Sequence, residues 1–160
     1  MSMVNIGLEK KSCEQVAALL NKLLANEFIL YTKTLKVHWN VEGKHFGALH
    51  EFFKQQYEAM LTIADDVAER ARSLGAMAFG TLQEFSEHGT LPEQPGVNPD
   101  DLGMIAWLLE DHEAIIRQLR KDVDITAQLN DMGTNNFLAG LMEKHEKMAW
   151  MLRSFLLKNK

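Results

Sequence analysis

The sequence predicts an all-α fold, a four-helix bundle with one long crossover connection, and three observations carry this. All three prolines, Pro92, Pro95 and Pro99, fall in one eight-residue window, and the stretches of 91 and 61 residues on either side hold none. Helix-rich sequence accommodates that pattern. Elsewhere the apolar residues recur at spacings of three and four, the period of a helix with one buried face. Breaks at Gly43, near Gly75 and at Asn130 to Gly133 divide this periodic sequence into four long segments.

The first helix is expected from Ser12, with Val16, Leu19, Leu20, Leu23, Leu24, Phe28, Tyr31 and Leu35 on its apolar stripe. Ser12 at the N-cap and Gln15 three residues on make a candidate capping box. Gly43 should break it. The second helix carries Phe46, Leu49, Phe53, Tyr57, Met60, Leu61, Ala64 and Ala68 and ends near Gly75. Residues 80–99 are rich in Gly, Pro, Ser and Glu, too long a stretch for a simple turn between antiparallel helices, and read as the crossover. Within it TLQEFSEH forms a short extra helix, started by Thr81 with Glu84 at the capping-box position. NPDD then opens the third long helix, with Asn98 at the cap and Pro99 at the first helical position, running to about Ala127. Asn135 to Leu157 forms the fourth. Two helical pairs joined by one long connection make the ferritin-like variant of the bundle.

A chain of 160 residues fits a single domain over residues 1–160, with 1–11 as an N-terminal tail. Cys13 is the only cysteine, so no intrachain disulfide forms and a cytoplasmic location is expected. The apolar run LLNKLLANEFIL carries Asn21, Lys22, Asn26 and Glu27, which argues against a signal peptide or a membrane span. A net charge of -5 argues against a surface that is wholly a nucleic-acid footprint.

The chemistry concentrates in HWNVEGKHFGALHEFFK and in the helix that follows it. Asp65 and Glu69 lie four apart on one helix face, where they can chelate a metal or simply face water. His50 lies on nearly the same stripe, since fifteen residues at about 100° leave it about 60° away. Along the axis, however, fifteen residues at about 1.5 Å place it roughly 22 Å from Asp65. No single ion can touch both within one chain. A second copy of the helix, antiparallel across a two-fold axis, would bring His50 of one chain opposite Asp65 and Glu69 of the other. His38 joins that site if the chain turns back at Gly43. Imidazole with two carboxylates suits non-haem iron, with zinc or manganese as weaker fits.

His38-Trp39-Asn40-Val41-x-Gly43, Phe46, Leu49-His50, Phe53, Tyr57 and Asp65-x-x-Ala68-Glu69-Arg70 resemble the signature of the Dps family, the mini-ferritins. The crossover and the run Glu143-x-His145-Glu146-Lys147 before Trp150 extend the resemblance over nearly the whole chain beyond the first ten residues. The resemblance implies a homo-dodecameric shell with ferroxidase centres at its two-fold interfaces. Each would take His38 and His50 from one subunit and Asp65 and Glu69 from its mate. It implies oxidation of Fe(II), preferably by hydrogen peroxide and otherwise by oxygen, and storage of the Fe(III) mineral inside. It also places Trp39 near the iron centre, and Asp122, Asp124 and Asp131 near pores through which iron enters. Ordinary ferritins use Glu-x-x-His pairs inside one bundle. Here the only such pair, Glu42-x-x-His45, falls in the predicted turn, so no intrasubunit centre is expected.

One position departs from the family, which usually has an acidic residue four positions after His50. Here it is Lys54. The lysine lies about 20° from Asp65 around the helix, so its ammonium either snorkels to solvent or points into the shared site. An ammonium and Fe²⁺ about 5 Å apart repel by several kcal/mol at an effective dielectric of 20. One strong metal position and a doubtful second one follow. The rival reading, a DNA-compacting protein, depends in this family on lysine-rich tails. Only Lys10 and Lys11 beside Glu9, with Lys158 and Lys160, are available here, and weak or absent DNA binding is expected. A third reading is a shell whose ferroxidase activity Lys54 has attenuated. His112, in Glu110-Asp111-His112-Glu113, reads as part of a solvated face, and His88 and His145 have no evident partner.

Overall fold

The computed structural model describes residues 4–157, which form five helices and, among those residues, no strand. They are α1 (Lys10–Asn40), α2 (Phe46–Ser73), α3 (Leu82–His88), α4 (Asp101–Gln128) and α5 (Met132–Leu156). Lys158 and Lys160 lie outside the described residues.

The turn between α1 and α2 depends on Gly43, whose φ of +97° lies in the left-handed region that costs a side chain strain. Gly75, at +85°, ends α2 in the same way, its N–H bonding the Arg72 carbonyl. Three helix starts differ from expectation. α1 begins two residues before Ser12, after Glu9, and Ser12 is turned into the bundle. α4 is capped by Asp100, whose carboxylate accepts from the Gly103 N–H at 2.8 Å, rather than by Asn98. α5 is capped by Asp131, which accepts from the Thr134 N–H, and so starts three residues before Asn135. The short helix α3 follows its sequence signal: Thr81 and Glu84 form a reciprocal capping box.

The polar residues that interrupt the apolar run of α1 anchor the crossover. The Asn21 amide donates to the Met77 carbonyl and accepts from the Phe79 N–H. Asn26 accepts from the N–H groups of Thr90 and Leu91, Lys33 donates to the Pro92 carbonyl, and Lys36 donates to those of Gln94 and Val97. The crossover thus runs along α1 from Asn21 to Lys36 and delivers α4 beside the α1–α2 turn, where His45 meets Asp101. α1 pairs with α2 and α4 with α5, and α1 also packs on α3 and α4. Leu20, Leu30, Phe53, Met60, Ile105, Leu108, Ile115, Leu119, Leu138 and Leu141 fill the core. Phe46 and Leu61, expected on the buried face of α2, are instead about half exposed, at 48% and 50%.

Candidate metal centre

His38 occupies the last turn of α1 and His50 the second turn of α2, brought together by the turn at Gly43. Their rings stack with centroids 3.8 Å apart. Each Nδ1 reaches the other residue's backbone carbonyl, His38 to His50 at 2.7 Å and His50 to His38 at 2.9 Å. A carbonyl only accepts, so both Nδ1 atoms must carry the proton. In the neutral rings both Nε2 atoms then keep lone pairs, the state a metal ligand needs. The His38 carbonyl is one of the last in α1, beyond the reach of the intrahelical ladder, and the His50 ring satisfies it. Tyr57 packs edge-on against His38 at 5.2 Å and Phe46 stacks on His50 at 5.0 Å, fixing the pair from either side.

Asp65 and Glu69 are both exposed on the uninterrupted helix α2. The axial distance of roughly 22 Å to His50 therefore stands, and within one chain the imidazoles and carboxylates do not meet. Among the described residues no three His, Cys, Asp or Glu side chains gather to hold a metal. One chain thus holds an imidazole pair and a carboxylate pair in separate places.

Residues 17–160 match the model of the ferritin-like domain. An uncharacterised low temperature-induced protein of Nostoc sp. is 44% identical over 98% of this chain and 88% of its own length. The DNA protection during starvation protein 2 of Bacillus anthracis is 34% identical over 89% of this chain and 97% of its own. Among solved structures, DpsC from Streptomyces coelicolor superimposes with a TM-score of 0.96 at 29% identity, covering 99% of this chain and 93% of that one. The chain belongs to the Dps family of ferritin-like proteins. A Dps protein from Vibrio cholerae, described as a member of a broad superfamily of ferritin-like diiron-carboxylate proteins, has a TM-score of 0.92 at 27% identity, covering 98% of this chain and 99% of its own.

Lys54 in this Dps chain is exposed, and its ammonium lies 3.9 Å from Glu58 one turn on. Glu58 escaped the sequence reading, although its position, about 20° from both Asp65 and Glu69 around the helix, was available from spacing alone. Trp39 projects into solvent and is 68% exposed in the single chain. Of the three aspartates expected near pores, only Asp124 is exposed. Asp122 is buried and accepts from the Gln118 amide, and burial raises its carboxyl above the ordinary range. Asp131 is buried as the α5 cap and pairs with Arg70, whose Nε also donates to Thr134. Arg70, next to Glu69, thereby ties the end of α2 to the start of α5.

His112 is not on a solvated face. Together with His145 it is fully buried in the bundle, where the two ring Nδ1 atoms lie 3.0 Å apart. Their partners sit on other helices, so local sequence carried no signal of them. His88 ends α3 and stacks on Phe79 at 4.5 Å.

Proposed function

We propose that this Dps chain is an iron-storage and detoxification mini-ferritin that oxidises Fe(II) at centres shared across two-fold interfaces of a dodecamer. The observation that carries the reading is the reciprocal Nδ1–carbonyl bonding of His38 and His50, which presents two Nε2 lone pairs with no carboxylate partner in the same chain. An antiparallel α2 from a second subunit supplies Asp65 and Glu69 opposite them. The imidazoles hold the substrate Fe(II) as neutral donors, and the carboxylates offset its charge and favour the Fe(III) product. Hydrogen peroxide is the preferred oxidant by family resemblance: two Fe(II) each give one electron, two protons are consumed, and two waters leave. The Fe(III) then hydrolyses and collects in the shell. Because Lys54 stands where the family has an acid, the position served by His38, Asp65 and Glu69 is the strong one, and the position beside His50 is weak.

Complementation between subunits tests the sharing. His50→Ala and Asp65→Ala shells should each oxidise Fe(II) poorly. Unfolded together in equal amounts and reassembled, they should recover about a quarter of wild-type centres, because half of the dimers are mixed and each mixed dimer holds one intact centre. Recovery of no activity from well-formed mixed shells would rule out a shared centre.

A further inference from the structure

A second polar cluster lies inside the bundle, apart from the intersubunit half-sites. Glu27 of α1, His112 of α4 and His145 of α5 are all fully buried. His145 is the middle member. Its Nε2 lies 2.9 Å from Glu27 Oε1, and its Nδ1 lies 3.0 Å from His112 Nδ1. The contacts run in a line rather than converging on one point, so the cluster offers no cage for a cation. A linear array of this kind holds a proton.

Two ring nitrogens at hydrogen-bond distance cannot both present lone pairs, nor both present N–H groups, so one proton lies between them. The Glu27 carboxylate is buried, and neither oxygen has an aligned hydrogen bond. Such a group needs a positive charge beside it. With Glu27 ionised, one pattern meets both demands. His145 carries a proton on each nitrogen, one facing Glu27 as an ion-pair contact and one donated to His112, while His112 is neutral with its own N–H on Nε2. We propose that Glu27, His145 and His112 form a proton-binding site that holds one proton per chain in the bundle core and makes the cohesion of α1, α4 and α5 sensitive to acid.

The neighbouring charges leave this assignment intact. α1 also brings Lys33 and α4 brings Asp111, but these two pair with each other at 2.5 Å and cancel. The buried polar side chain of α2 is the uncharged Gln56, and α5 contributes no other buried ionisable group among the described residues. A second proton would have to enter on His112, setting two cations against one carboxylate. Burial, and then the adjacent His145, hold His112 well below the ordinary histidine range. An unfolded histidine binds its proton near pH 6.5. Below about that value the unfolded chain takes up a proton on His112 that the folded chain refuses, so the stability that depends on His112 staying neutral, complete above that value, falls as pH drops toward the lower native value.

Proton uptake on unfolding tests the site in the assembled protein. His112→Asn keeps an acceptor for the His145 Nδ1–H but does not titrate. Near pH 5.5 wild type should take up about one more proton per chain on unfolding than this variant, and near pH 8 the two should agree. Glu27→Gln removes the charge that retains the proton on His145, so it should take up about one proton more than wild type near pH 5.5. Equal uptake by wild type and either variant overturns the proposal. Should the variants not fold, ¹⁵N-histidine solid-state spectra of wild type decide: at about pH 8, where exposed histidines are neutral, one doubly protonated ring per chain should remain, and none would overturn the assignment.

Discussion

At the scale of single residues, the proposal that one metal position is weak rests on Lys54. Its ammonium rests 3.9 Å from Glu58, an exposed contact worth little by itself, so nothing in one chain prevents it from turning toward Asp65 and Glu69 of a mate. A lysine binds metal only after losing its proton, so Fe(II) oxidation should speed up as pH rises. Lys54→Asp restores a carboxylate and removes a positive charge, and should raise the initial rate with peroxide by about tenfold or more. Stopped-flow kinetics, with Zn(II) calorimetry for stoichiometry, would check this; unchanged rate and stoichiometry would mean that Lys54 points away from the centre. His50, Asp65 and Glu69 could be proposed from sequence because helix geometry converts spacing into faces, and His38 because Gly43 lets the chain turn back toward His50. The roles of His112 and Asp111 could not. The run from Glu110 to Glu113 looks uniformly polar, and only the tertiary partners His145 and Lys33 explain why its two central residues turn inward.

At the scale of elements, the four long helices and the short one were legible from periodicity and punctuation, while three of their starts were not. A cap is selected by which side chain reaches a free N–H after packing has set the path of the chain. Asp131 succeeds because it also meets Arg70, a contact across 61 residues that no local pattern reveals. Asp131→Ala should therefore cost about 2–3 kcal/mol, the lost cap adding to an unpaired, partly buried guanidinium. Urea unfolding at fixed protein concentration measures it. The crossover offers a second test. A Cβ added at Gly89 would lie 2.1 Å from Ile29 Cδ1 and 2.9 Å from the Phe85 carbonyl oxygen. The isoleucine tip can move, but the helical backbone cannot move cheaply. Gly89→Ala should destabilise by about 1–3 kcal/mol, and a stability equal to wild type would show that α3 can shift on α1.

At the scale of the whole molecule, the proposed half-sites, His38 with His50 and Asp65 with Glu69, need an assembly, and the surface of that assembly bears on its partners. Light scattering should report twelve subunits at micromolar concentration; a monomer would remove the basis for shared centres. Twelve chains at -5 each sum to -60, a charge that repels DNA over the shell as a whole. Attraction would have to come from local lysines. Lys10 and Lys11 do not belong to an extended tail: both lie in the first turn of α1, Glu9 is adjacent, and Lys10 pairs with Glu14 at 3.6 Å. Counterion release rewards several cations tracking a phosphate backbone, which a helix turn balanced by two glutamates supplies poorly. Plasmid mixed with assembled protein at neutral pH and moderate salt should consequently show little or no retardation in a gel. A strong shift that fades as salt is raised would show that cations elsewhere on the shell gather into a phosphate-binding surface, and that net charge misjudges this protein's affinity for DNA.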